Sequence, residues 1–232
     1  MENLRLAFVL LMGLVPFAFS GPGDYVDFND GGEHVIDYHV QYSDEILDCS
    51  VRVDNDVNNV PGTKIIVESG ARIDHRLYLY NNSLANINAG DVWGGLVTYD
   101  HSELIVSGGY FDGQHFFHDN SKVTFNGGVF SVNPNVAIWT MHNCETIIND
   151  GTFHALFHRD HSSLIVNGGQ MNGTILEDDS SVKINQGKIG SIDCKQRGKA
   201  LVMGGDIGAC YTNEYSKLVI LVPFQLSKFR FC

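Results

Sequence analysis

Acidic side chains recur at one position of this 232-residue chain: Asp100, Asp119, Asp160 and Asp178, with Asn81, His142, Gln196 and Glu214 standing in the same relation to their neighbours. Carboxylates held side by side repel, so Asp100 with Asp119 and Asp160 with Asp178 are candidates for a Ca²⁺ site or a shared proton. Asp and Asn also stabilise chain corners by bonding nearby backbone, and that structural role is the one expected here. Calcium repeats of the GGxGxD type are absent, because Gly108-Gly109-Tyr110-Phe111-Asp112-Gly113 misses the spacing. Six histidines, His101, His115, His118, His142, His158 and His161, crowd the same stretch. A zinc ion needs three or four converging ligands. His118 and His142 could approach each other, but His115 and His158 fall on the opposite, inward alternation, so the six do not converge. No metal, no cofactor and no catalytic residue is assigned.

Aromatic residues give the sharper signal. In the runs Leu77–Tyr80, Leu96–Tyr99, His115–His118, Ile138–Met141 and Leu156–Arg159 the first and third residues read as inward and the second and fourth as outward. Tyr78, Val97, Phe116, Trp139 and Phe157 then form one outward column, with Tyr80, Tyr99 and His118 beside it. The ligand-binding candidates are Tyr78, Tyr80, Tyr99, Phe116, Trp139 and Phe157. An exposed aromatic strip suits stacking on sugar rings or packing against a partner, and the competing roles are a ladder that only stabilises the sheet, or a register that puts the column in the core.

What would position these columns is a repeat. A unit of the form S-x-h-x-h-N-G-G, with h apolar, starts at Ser83, Ser102, Ser121, Cys144, Ser162, Ser180, Gly198 and Ser216, at spacings of 19, 19, 23, 18, 18, 18 and 18. A fixed period of this size marks a solenoid, whose units bury their apolar residues by stacking on neighbours. Ala85, Leu104, Val123, Thr146, Leu164, Val182, Ala200 and Leu218 stand two residues after the starts. Ile87, Val106, Phe125, Ile148, Val166, Ile184, Val202 and Ile220 stand two further on. Alternation with many β-branched residues means strands, and the glycine pair permits a tight corner. No segment inside the repeats has helical spacing. The fold expected is all-β, a single-stranded parallel β-helix of about eight coils of 18–20 residues, right-handed, with a column of Asn88, Ser107, Asn126, Asn149, Asn167 and Asn185 forming an amide ladder. Asn133-Pro134-Asn135, within a four-residue insertion, reads as a bulging loop.

The strings Leu77-Tyr78-Leu79-Tyr80-Asn81-Asn82-Ser83 and Thr98-Tyr99-Asp100-His101-Ser102, the latter followed by an Ile-Val-Ser-Gly-Gly run, resemble the degenerate repeats of secreted bacterial β-helix proteins, notably those of planctomycetes. The resemblance spans about 160 residues and implies the fold, with no general activity attached to it.

Residues 1–20 read as a secretory signal peptide: an apolar stretch over 6–19, too short to span a bilayer, follows Arg5, and Ala18-Phe19-Ser20 makes a small-x-small cleavage site before Gly21. Residues 21–60 are expected to form an N-terminal cap and first irregular coil, 61–222 the repeats, and 223–232 a C-terminal cap or a truncated tail. A net charge of −12 with 15 basic residues excludes the concentrated Lys and Arg that nucleic acids or anionic membranes require. Between Arg76 and Arg159 the only basic side chain besides histidine is Lys122, which also argues against a polyuronate-cleaving site. Cys194 and Cys210 are offset by two positions on neighbouring coils, which puts their Cα atoms roughly 8 Å apart, beyond disulfide reach. That leaves Cys49 and Cys232, near the ends, as the thiols expected to react.

Two function classes follow. The first is a non-catalytic secreted or cell-surface β-helix, structural or binding, whose partner is a polysaccharide or a cell-surface protein and which stays out of the membrane once the signal is removed. The alternative is a polysaccharide lyase or glycoside hydrolase of pectin-lyase-like fold, with Asp100, Asp119, Asp160 and the histidines as acids and bases. The want of basic residues disfavours it.

Overall fold

The computed structural model describes residues 25–40, 49–54, 62–131, 136–213 and 215–221, together with the backbone of 228–231. Every strand pairing among them is parallel, no helix forms, and the chain winds as a β-solenoid of about eight turns. Two sheets run the length of the molecule. The first has ten strands, from Glu33–Ile36 and Lys64–Val67 through Ser163–Val166 to Lys217–Ile220, each adding one coil to the last. The second has sixteen strands and is forked. In its N-terminal half each coil contributes a two-residue strand, such as Tyr110–Phe111, and a separate longer one, such as Gly95–Thr98. From Thr152 on, the two fuse into seven-residue strands, Thr152–His158, Gln170–Leu176, Lys188–Cys194 and Asp206–Thr212.

The fork follows coil length. The coils that begin at Ser83 and Ser102 have 19 residues and turn between their two strands at Trp93-Gly94 and at Asp112-Gly113-Gln114, where Gly95 and Gly113 take φ of 112° and 82°. The coils that begin at Cys144, Ser162, Ser180 and Gly198 have 18, and with one residue fewer the turn is lost and the strand runs through.

The expected alternation holds. Ala85, Leu104, Val123, Leu164 and Val182, and next to them Ile87, Val106, Phe125, Ile148, Val166 and Ile184, are buried in the ten-stranded sheet. Phe111, Phe130 and Phe153 stack inside the solenoid with ring centroids 4.6 and 5.0 Å apart. Asn126, Asn149, Asn167 and Asn185 form the amide ladder, the Nδ2 of Asn149, Asn167 and Asn185 each donating to the Oδ1 of the preceding coil at 2.7–2.8 Å, whereas Asn88, expected in the same ladder, donates to Glu68 at 2.9 Å. The stretch expected as a cap and irregular coil supplies in-register strands, Tyr25–Phe28 and Ser50–Val53 in the forked sheet and Glu33–Ile36 in the other. The signal-peptide stretch, the bulging loop at Asn133–Asn135 and Cys232 lie outside the described residues.

Cys194 pairs with Thr212 and Cys210 with Ile192, so the two-position offset is real, and both cysteines are free and buried. Cys49 corrects the expectation of a reactive end thiol: it is 3% exposed. Burial pushes the Cys144 thiol up to about 11 and Cys194 to about 12, so neither is a nucleophile at neutral pH.

Candidate functional site

Strand register decides which side chains meet. Arg52, Tyr78, Val97, Phe116, Trp139, Phe157, Ile175, Asp193 and Tyr211 pair in succession and make one outward row along the forked sheet. Tyr80, Tyr99, His118 and Arg159 stand two residues further on in their coils and make a second row. The inward residues between them, Leu77, Leu79, Leu96, Thr98, His115, Phe117, Ile138, Thr140, Leu156 and His158, are all buried. The aromatic column therefore lies on the outer face, and the alternative register with the column in the core is excluded.

The rings stack on one another along the axis. Tyr80 and Tyr99 lie 5.1 Å apart at 9°, Tyr99 and His118 4.9 Å apart at 5°, and Trp139 and Phe157 4.2 Å apart at 14°. Tyr78 joins Tyr80 at 6.2 Å, and Phe116 joins His118 at the same distance. Arginine guanidinium groups lie against the rings: Arg159, itself paired with Glu177 at 2.8 Å, lies over Trp139, Arg76 over Phe116, and Arg52 over Tyr25. Tyr80, Tyr99 and His118, and Trp139 with Phe157, thus share ring faces with their neighbours. All six candidates are half-buried. Val97 differs: it points outward but is 2% exposed, because Tyr78 and Phe116 flank it on either side. Desolvation raises the phenol of Tyr80 to about 12 and lowers the imidazole of His118, so both stay neutral at physiological pH.

The acidic column is a corner device. Asn81, Asp100, Asp119, His142, Asp160, Asp178 and Gln196 all have φ between 52° and 60°, the left-handed region that Asn and Asp tolerate better than other residues with a side chain. Each side chain also caps the coil before it. The Asp100 carboxylate accepts from Asn81 N–H at 3.0 Å, Asp160 from His142 N–H at 2.9 Å, and the Gln196 amide oxygen from Asp178 N–H at 2.9 Å. His142 Nδ1 lies 3.0 Å from Asp119 Oδ1. Among the described residues no group of three or more His, Cys, Asp and Glu gathers as a metal site would require.

His115 and His158 are fully buried, and burial drives both imidazoles down to about 3. His115 Nδ1 accepts from Leu96 N–H at 3.0 Å, and its ring meets Phe130 edge to face at 5.0 Å. His158 Nδ1 contacts the hydroxyl of Thr140. These histidines belong to the core.

A second, more exposed aromatic pair stands outside these two rows. Trp93 is 43% and Tyr110 37% exposed, 6.3 Å apart, with Arg72 over the indole. Trp93 sits on the turn between the two separate strands of its coil, Asp91–Val92 and Gly95–Thr98.

No family model, no curated protein and no solved structure matches the chain. The resemblance to secreted bacterial β-helix repeats rests on the repeat strings alone.

Proposed function

We propose that the chain is a non-catalytic, exported β-helix that binds an extended neutral polysaccharide along its axis, with Tyr78, Tyr80, Tyr99, Phe116, Trp139 and Phe157 as its contact face. The observation that carries this reading is the pair of in-register aromatic rows on one outer face. Packing holds the rings in place before any ligand arrives, so binding costs little side-chain entropy. Because the ring faces are shared, contact is through edges, phenol hydroxyls and the indole N–H, which matches the many hydroxyls of a sugar chain. The corner carboxylates accept hydrogen bonds from backbone N–H groups. Export rests on the apolar stretch over 6–19 and its small-x-small end.

A glycan array probed with the exported protein tests this, with each bound glycan then incubated and its reducing ends measured. Retention on a neutral polysaccharide without cleavage is expected. Cleavage of the bound glycan, or retention only on a surface protein, would overturn the reading.

A further inference from the structure

The 18-residue coils carry a groove. Where the strands fuse, a depression of about 490 Å³ opens over Gln170, Asn172, Lys188, Gly190, Asp206 and Gly208. Its floor is bare backbone. A Cβ on Gly190 would stand 2.2 Å from the carbonyl oxygen of Asn172, and one on Gly208 would stand 2.5 Å from that of Gly190, so neither position takes a side chain. Gln170, Lys188 and Asp206 pair in register and line one wall as consecutive steps, about 4.8 Å apart. Asn172 stands at the edge and is held by His154 at 3.0 Å. The wall offers an amide, an ammonium and a carboxylate in turn, all exposed.

We infer that this groove is a second subsite for the glycan, set five residues along the strands from the outer aromatic column, roughly 16 Å at about 3.3 Å per residue, and that it takes a neutral pyranose segment laid parallel to the axis. The inference rests on the binding role proposed above. Its own support is chemical. Every sugar hydroxyl both donates and accepts, and a pyranose unit is about as long as one coil is high. Successive units therefore meet Gln170, then Lys188, then Asp206. Lys188 can only donate and Asp206, when ionised, can only accept, so together they recognise neighbouring hydroxyls. A uronate chain would find a single ammonium beside a carboxylate that repels it. The bare floor lets the sugar ring approach the backbone.

The experiment is calorimetric titration of the full chain with cellohexaose, laminarihexaose, mannohexaose, xylohexaose and hexagalacturonate, repeated with Lys188→Ala, Asp206→Ala and the strip double variant Tyr99→Ala/Trp139→Ala. At least one neutral hexasaccharide is expected to bind, and each groove variant to weaken it by roughly tenfold or more with unchanged circular dichroism. Loss of binding in the strip variant alone would overturn the groove and leave the binding role standing. Preference for hexagalacturonate would overturn the neutral class. Failure of all five sugars to bind would overturn both inferences.

Discussion

Lowering the pH should unfold this protein through two core histidines. His115 and His158 titrate near 3 when folded, against about 6.5 in an unfolded chain. Between those values the unfolded state binds protons that the folded state refuses, so stability falls as pH falls. By pH 5 the loss is about 2 kcal/mol for each histidine, or roughly 4 kcal/mol for both. A domain typically has about 5–15 kcal/mol in all, so this is a large share. The perturbation is His115→Asn/His158→Asn, since an Asn amide oxygen can stand where Nδ1 accepts from Leu96 N–H. That variant loses packing and should be less stable at pH 8. Its urea midpoint should nonetheless move far less between pH 7 and pH 5 than that of the parent. A smaller dependence from His118, lowered by its own burial, will remain in both proteins. Equal pH dependence in parent and double variant would refute the assignment of acid sensitivity to these two residues.

Val166 is fully buried between Ile148 and Ile184 of the adjoining coils, so Val166→Asp places an unpaired charge in a dry core and should abolish the native circular dichroism and melting transition. At the corner, Asp160 has φ of 58° and accepts from His142 N–H. Asp160→Val should lower stability by about 1–3 kcal/mol through backbone strain, and Asp160→Gly should cost less because glycine takes that conformation freely. Equal melting temperatures for the two variants would count against the corner assignment.

The coil, its inward columns, the Asn ladder and the outward aromatic rows were legible because a β-strand alternates and a solenoid repeats that alternation in register. Spacings of 19 and 18 even encode where the forked sheet closes up, although their meaning emerges only when the turn at Trp93-Gly94 is seen to vanish in the fused strand at Thr152–His158. Burial of outward residues was not legible. Val97 points out yet is covered, because a small side chain between Tyr78 and Phe116 is shaded by both, and alternation carries no information about neighbours in the next coil. The mutual stacking of the strip has the same origin. Periodicity put Tyr80, Tyr99 and His118 in line, but only the side-chain rotamers turn their faces toward each other. The groove was hidden because it is made by missing atoms, at glycines whose spacing resembles that of the corner glycines. Cys49 lies near an end of the chain in sequence, but the strand Ser50–Val53 beside it belongs to a regular coil, and proximity to a terminus is no measure of exposure.

The aromatic face as a ligand surface is tested most directly by affinity electrophoresis of the parent and of Tyr99→Ala/Trp139→Ala through gels containing the neutral polysaccharide retained on the array. Loss of one stacked partner in each row should cost only about 1–3 kcal/mol of stability, so the variant should remain folded at room temperature. Retardation of the parent and free migration of the folded variant is the result expected. Equal retardation of both, or collapse of the variant's fold, would contradict the account and leave the two rows as a structural ladder.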